Sequence, residues 1–557
     1  MQRNDEAPSA PSAVTIEDPG KREFLKTFGT VGLGMGVGLG LPAAGIVNAA
    51  SAALPPSQTQ NSWQRRNRAF LKRMQAALGQ QSSFQGGQQA NGDENLPGHI
   101  ASHTKGLPHN DLGEVDPGAY NRLLIAVNSG TSQDLAAVPM GTPGARLVQP
   151  RMGFNFSLIG QDAQGWRIPP PPRFASDEIA AEMVECYWGA LTRDVPFVEY
   201  PSHPLIAQAA SDLSMQPGYD GPRPGGSIDA QTLFRSALPG TLEGPWLSQF
   251  FWMPVQQGAY STPQVLTPPL AGVDYSTSYA DWLANMRGGG GGPTAAAGTP
   301  RWICTSRDLT RSLQLDVPLG FGYQHIMLAL IHLLRLGIPR NPGLPIPPSN
   351  EADGLNGQLW ELVARCTLAA LTPVFWQKWQ VHRRLRPEAY AGRVHNHING
   401  AATYPIPTAL LGSQALAATF SRYGTYLMPM AWKGGCPPHP SYPSAHAVIA
   451  AAGVTVLKAF FDGNAALPNP VLANADGTAL VPYAGAPLTV EGELNKLAAN
   501  IGISRVQTGI HFRSDSMQSI ALGERMAINM LSELKPLRGG AFDNFTFRRF
   551  DGSLVTV

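Results

Sequence analysis

Cysteine is scarce. The chain of 557 residues has four, Cys186, Cys304, Cys366 and Cys436, far apart and without a C-x-x-C pair. That argues against a dense disulfide framework and against a structural zinc site. An excess of either charge is missing as well. Lys+Arg 41 against Asp+Glu 39 leaves a formal net charge of +2, which speaks against a generic nucleic-acid binder and against bulk-charge attachment to anionic membranes. Charged residues make up only 14% of the chain, against a usual ~25%. No internal repeat stands out, and period-two alternation is rare. There is no set of apolar runs of the ~20 residues that integral membrane proteins need. What is present is apolar mass: 43% hydrophobic residues, enough for a sizeable core. The length predicts about three or four domains, or one large one. Gly 60 and Pro 50 predict long loops without reaching the low-complexity range.

The N-terminus reads as an export signal. Residues 1–20 are polar and Pro/Ser-rich, Gly20 to Lys26 are basic, Phe28 to Leu41 form a short apolar run, and Ala50-Ser51-Ala52 supplies an A-x-A-like site. These are the parts of a signal peptide, and the run is too short to span ~30 Å of hydrocarbon. Lys21-Arg22 is similar to a twin-arginine motif, so the expected location is periplasmic or secreted. A second basic block, Arg65 to Lys72, lacks a following apolar run and reads as an amphipathic helix.

The expected organisation is a disordered leader and export signal over 1–53, an N-terminal helical part with long loops over 54–350, and a C-terminal helical part over 351–557 that carries the candidate site, forming one catalytic unit with the part before it. Ser176-Asp177-Glu178 predicts a helix start, with an N-cap and an acidic first turn. Helices are also expected over Gln324 to Leu336, from a cap at Asn356 to Trp379, over Ser444 to Phe461 and over His511 to Leu534. Residues 79–100, 136–175, 200–230 and 286–300 read as loops. The fold class expected is all-α, with two four-helix-bundle-like cores and long Pro/Gly-rich loops.

Three C-terminal segments hold the chemistry: Lys378 to Pro387 (KWQVHRRLRP), His439 to His446 (HPSYPSAH) and Ser504 to Asp515 (SRVQTGIHFRSD). Pro387 removes a backbone donor and disfavours the α region for Arg386, so a helix carrying Lys378 should stop there. Ser444 after Pro443 suits an N-cap. Ala445, His446 and Ala447 would then open a helix whose free N–H groups and positive dipole end seat an anion. His511 and Asp515, four apart, share a helix face, and Asp515 could accept from one ring nitrogen and leave the other bare. Arg505 is expected to fold in from before a turn at Thr508-Gly509. Together Lys378, Arg386 and Arg505, a hydroxyl at a helix N-terminus and two or three histidines suit a compact tetrahedral oxyanion. Singly, each element has a blander reading: a solvated helix end, a Ser beside a His, a surface pair. Their joint order and spacing favour the site. Arg383-Arg384 reads as a solvated or inter-helix face, His395-Asn396-His397 as loop, and His325 and His332 as core histidines.

These segments resemble the signature of the vanadium-dependent haloperoxidases, which share it with the type 2 phosphatidic acid phosphatases and bacterial acid phosphatases. Ser504-Arg505, five residues, His511, three residues, Asp515 matches that pattern in full. Seven residues separate Lys378 from Arg386, one more than is usual, and this is similar to the algal bromoperoxidase branch, as is His439 ahead of His446. Thr104 to His109 and Arg193 to Phe197 also look like algal-type segments. Ala445 departs from the family's usual Gly. The resemblance implies vanadate as cofactor, with His511 as its metal ligand oriented by Asp515. Lys378, Arg386, Ser444, the N–H of Ala445 and Arg505 would hold its oxygens. His446 would be the acid/base, Lys378 would polarise peroxide, and His439 would tune the halide site. It implies hydrogen peroxide, a halide (bromide or iodide favoured) and a small organic acceptor as partners, and a homo-oligomer. The alternatives are an acid phosphatase using His511 as nucleophile, and a non-catalytic oxyanion-binding protein.

Overall fold

The computed structural model describes residues 62–83, 88–156, 161–292, 294–320, 322–344, 355–535 and 544–557. The leader and export signal expected over 1–53 lie outside them. By contacts the chain divides into residues 1–77 and residues 78–557. The described part of the first unit belongs to a helix, Ser62–Ser83, and everything that follows concerns the second.

The fold is all-α. Among the described residues, strands are confined to four two-stranded antiparallel pairings. The centre is the helix Ala445–Phe460 (AHAVIAAAGVTVLKAF), buried along its whole length. A helix apolar on all sides has to be surrounded. Here Leu355–Trp376, Val490–Gln507 and Arg513–Leu534 pack round it. Small residues set the closest approach: a Cβ on Gly523 would lie 2.3 Å from the Val448 carbonyl oxygen. Gln324–Arg335 lays Ile326, Ala329, Leu330 and Leu333 inward. A second helical layer gathers on Asp177–Leu191, against Pro204–Ser214 and Gln414–Tyr423. Ser176 caps that helix as predicted, its Oγ accepting from the Ile179 N–H at 3.4 Å over an acidic first turn.

Several expectations are corrected. Residues 200–230 are not all loop. His203 caps the helix Pro204–Ser214, Pro204 stands in its first turn, and Ile206, Ala209, Ala210 and Leu213 bury one face. Asn356 is no cap, since its helix begins at Leu355. The α-helix leading into the first segment ends at Trp376 and continues as a π-helix, Gln377–His382, closed by Arg383 at φ 39. Pro373, inside the α-helix, lacks the N–H that would continue the ladder. Arg386 therefore does not end the Lys378 helix; it stands at the N-cap of the next one, Pro387–Ile398. That helix also takes in His395 and His397, read as loop from the sequence. The last long helix starts at Arg513 rather than His511. No described helix is long and apolar enough to cross a membrane.

Candidate active site

Every side chain of the candidate site is buried, and most are held at or beside the end of a helix. Ser444 is the N-cap of the central helix, but its side chain caps nothing. Its own N–H donates to Ser519 Oγ at 2.8 Å, and its Oγ is buried without a hydrogen-bond partner. Ala445 opens the helix at ordinary negative φ, so a methyl where glycine is usual strains no backbone. The first N–H groups of such a helix have no intrahelical acceptor, and the helix dipole makes that end positive. His446, in the same turn, abuts Gly322: a Cβ there would fall 2.8 Å from the ring.

Cations surround this helix end. The π turn carries Lys378 fully inside, where Nζ donates to the carbonyls of Pro440 and Ser441 at 2.7 and 2.8 Å. Arg386 donates through Nε to the His439 carbonyl at 2.9 Å. Its Nη1 donates to the Ile510 carbonyl at 2.7 Å and lies 3.2 Å from His511 Nε2. Its Nη2 reaches His439 Nδ1 at 3.0 Å. Arg505, in the last turn of Val490–Gln507, rests on the Trp432 ring, 4.6 Å from its centroid. The chain reverses after it through Gly509 at φ 84, as the expected turn requires.

His511 and Asp515 meet, though not on one helix. His511 precedes the helix and Asp515 is its third residue, with Nδ1 and Oδ2 at 2.9 Å. The other ring nitrogen, Nε2, is thereby turned to the cations. Burial alone would push the Asp515 carboxyl up; the Arg384 guanidinium and then His511 outweigh it and hold it well below the ordinary carboxylate range. Burial drives His511, His446 and His439 well below the usual imidazole value, and Arg386 (for His511 and His439) and Arg505 (for His446) push further. All three rings are thereby shifted toward the neutral form. Lys378 is lowered by burial and then by Arg386. The one carboxylate that bears on Lys378 is Asp515, already paired, so positive charge is in excess and the cluster suits an anion. Among the described residues no group of three His, Cys, Asp or Glu could hold a cation.

Three participants escaped the sequence reading. Arg384, read as a solvated or inter-helix face, is of the second kind: it is buried and donates to Asp515 Oδ1 at 2.7 Å and to Glu182 Oε2 at 3.0 Å. Ser441 donates to Asp515 Oδ2. His103 is buried edge-on to Trp379 with Nε2 unpartnered, and feels the charges of Arg386 and Lys378. Its place beside the Thr104–His109 segment was the one available signal. His325 and His332 do sit in the core, against Phe251 and Phe250. His395 and His397 instead accept the Tyr426 and Tyr404 N–H groups at 3.3 and 3.1 Å.

Residues 370–540, which contain all three segments, match the family model described as the VCPO second helical-bundle domain. A vanadium-dependent bromoperoxidase of Ascophyllum nodosum is 32% identical over 84% of this chain and 87% of its own length. The chain belongs to the vanadium-dependent bromoperoxidase family. Another such bromoperoxidase, from Corallina pilulifera, is 31% identical over 84% of this chain and 92% of its own. The solved homohexameric structure of the second vanadate-dependent bromoperoxidase from Ascophyllum nodosum superposes with a TM-score of 0.84 at 28% identity, covering 94% of this chain and 95% of that one.

Proposed function

We propose that the chain is a vanadate-dependent haloperoxidase that oxidises bromide or iodide with hydrogen peroxide to hypohalous acid, which halogenates small organic acceptors. The observation that carries this is the commitment of His511 Nδ1 to Asp515, which turns Nε2 toward a ring of buried cations. The donor set fits vanadate. Ser444 Oγ is a buried hydroxyl without a partner, next to a helix N-terminus, and the cations exceed the carboxylates. His511 Nε2 would be the nitrogen ligand, and Lys378, Arg386, Arg505, Ser444 Oγ and the Ala445 N–H would hold the oxygens. When bound, the group supplies a Lewis acid that activates peroxide without changing oxidation state.

The protein's part is positioning and proton transfer. His446, kept neutral by burial and by Arg505, is able to take the proton that hydrogen peroxide gives up and to return it as hypohalous acid leaves. Lys378, a point charge with its head between two carbonyls, would polarise the oxygen that halide attacks. His439, between Arg386 and the Phe375 ring, would tune the halide's surroundings. Burial of the whole cluster excludes bulk water and strengthens each of these interactions. The bromide preference and a homo-oligomeric assembly follow the named relatives and the homohexameric neighbour. Export through residues 1–53 belongs to the same reading, and N-terminal sequencing of the mature protein checks it.

The test is to titrate orthovanadate into purified apoprotein and follow peroxide-dependent bromination of a phenolic dye. Activity should rise with orthovanadate and fall when inorganic phosphate competes. Hydrolysis of phosphate esters without bromination would transfer the site to the phosphatases.

A further inference from the structure

Two buried glutamates on the helix Asp177–Leu191 each hold an arginine, and they differ in what the arginine does next. Glu182 accepts from Arg384 Nη2 at 3.0 Å and also takes the Ser514 N–H. Arg384 spends Nη1 on Asp515 Oδ1 at 2.7 Å and on Ser514 Oγ at 2.9 Å, and its guanidinium lies 4.1 Å from the centroid of the Phe512 ring. With Oδ1 so occupied, Oδ2 is left to Ser441 Oγ, to the Phe512 N–H at 3.0 Å and to His511 Nδ1 at 2.9 Å. One turn on, Glu185 accepts from Arg513 Nε at 2.9 Å. Arg513 continues to the Arg235 carbonyl and the Tyr219 hydroxyl, both at 3.0 Å, and touches nothing in the site.

We infer that Arg384, anchored by Glu182, is a positioning residue that fixes the orientation of His511 through Asp515. A carboxylate held by one oxygen alone turns about its Cβ–Cγ bond. A guanidinium pinned on three sides stops that rotation, because its planar fork fixes the oxygen it binds. The imidazole then has one orientation in which Nδ1 is satisfied, and that orientation aims Nε2 into the site. What the orientation is for rests on the vanadate reading above; the orientation itself does not.

The Glu185–Arg513 pair serves as the control, being equally buried and on the same helix, with its side-chain hydrogen bonds going to neither His511 nor Asp515. Full-length Arg384→Met, Glu182→Gln and Arg513→Met are compared with the parent by calorimetric titration with orthovanadate, by thermal melting and by crystallography. Arg384→Met should weaken orthovanadate binding about 10- to 100-fold and open the His511–Asp515 contact. Glu182→Gln should do the same to a smaller degree, and it carries the test alone if Arg384→Met does not fold. Arg513→Met should melt earlier and keep its affinity. Low-millimolar guanidinium should restore binding to Arg384→Gly, where sodium at equal ionic strength should not. The inference is overturned if Arg384→Met keeps both the contact and the affinity, or if Arg513→Met loses as much affinity. A parent chain that takes up no orthovanadate sinks the functional reading only, since the His511–Asp515 distance in the Arg384→Met crystal still decides this one.

Discussion

Ser444 separates binding from folding at a single atom. Ser176, Ser413 and Thr489 each cap a helix with the side-chain oxygen, whereas Ser444 does not. A buried hydroxyl without a partner is a cost to the fold, of about 1 to 3 kcal/mol. Ser444→Ala should therefore leave the melting temperature unchanged or raise it, while orthovanadate binding weakens about tenfold or more for loss of a charge-assisted hydrogen bond. Parallel melting and titration curves read both; a variant that melts early and binds normally would contradict this. His446→Ala divides the site differently. Affinity for orthovanadate should change little, while turnover drops about 10²- to 10⁴-fold with loss of the acid/base group. Equal losses of binding and turnover would instead favour an oxyanion carrier. At this scale residue type and spacing were informative, because the chemistry needs those types. Partners were not: Arg384 draws its meaning from Glu182 and Asp515, which lie 202 and 131 residues away in sequence, and no local pattern announces such pairs.

Helices were legible where their apolar faces and caps were regular. Ser176 and the run from Ala445 to Phe460 announce their elements, whereas the π turn at Gln377–His382 does not, because widening a helix leaves the apolar spacing almost intact. How closely two helices approach is also written in single residues. At Gly523 a Cβ would meet the Val448 carbonyl oxygen at 2.3 Å, and at Gly453 it would meet the Ile326 side chain at 2.5 Å. Alanine gains about 1 kcal/mol of helix propensity over glycine at either position. A side chain is able to shift and a helix backbone is not, so the sign of the net effect differs. Gly523→Ala should lose about 1 to 3 kcal/mol as the two helices are forced apart, and Gly453→Ala should come out near neutral. Urea denaturation of both variants measures this, and equal losses would show that Ile326 is as rigid as backbone.

For the whole molecule, the helix-length apolar segments with their caps, and the scarcity of period-two alternation, pointed to the all-α class. Burial was legible for His325 and His332 but not for His109 and His382, and together these rings set the response of the fold to acid. Burial is the largest cause that lowers His109, His325 and His332 to about 4, and His382 to about 3, from an ordinary 6.5. Their folded-state values lie below the unfolded one, so the unfolded chain binds more protons across this interval and stability rises with pH. It is complete above about 6.5 and is lost as pH falls toward 4. Near pH 5 four such groups contribute a slope of about 5 kcal/mol per pH unit, at ~1.36 kcal/mol per unit and proton. That is comparable with the whole stability of an ordinary domain, so the apoprotein should lose its fold cooperatively before pH 4. His332→Gln replaces one of the four by a group that does not titrate and keeps a donor and an acceptor near Gln264, the present partner of His332 at 3.3 Å. Its stability should fall less steeply, by about one proton's worth, between pH 6.5 and 4.5. Urea midpoints measured at half-unit intervals test both statements: a flat profile for the parent would mean that these rings are already charged in the folded chain, and an unchanged slope in the variant would remove His332 from the set.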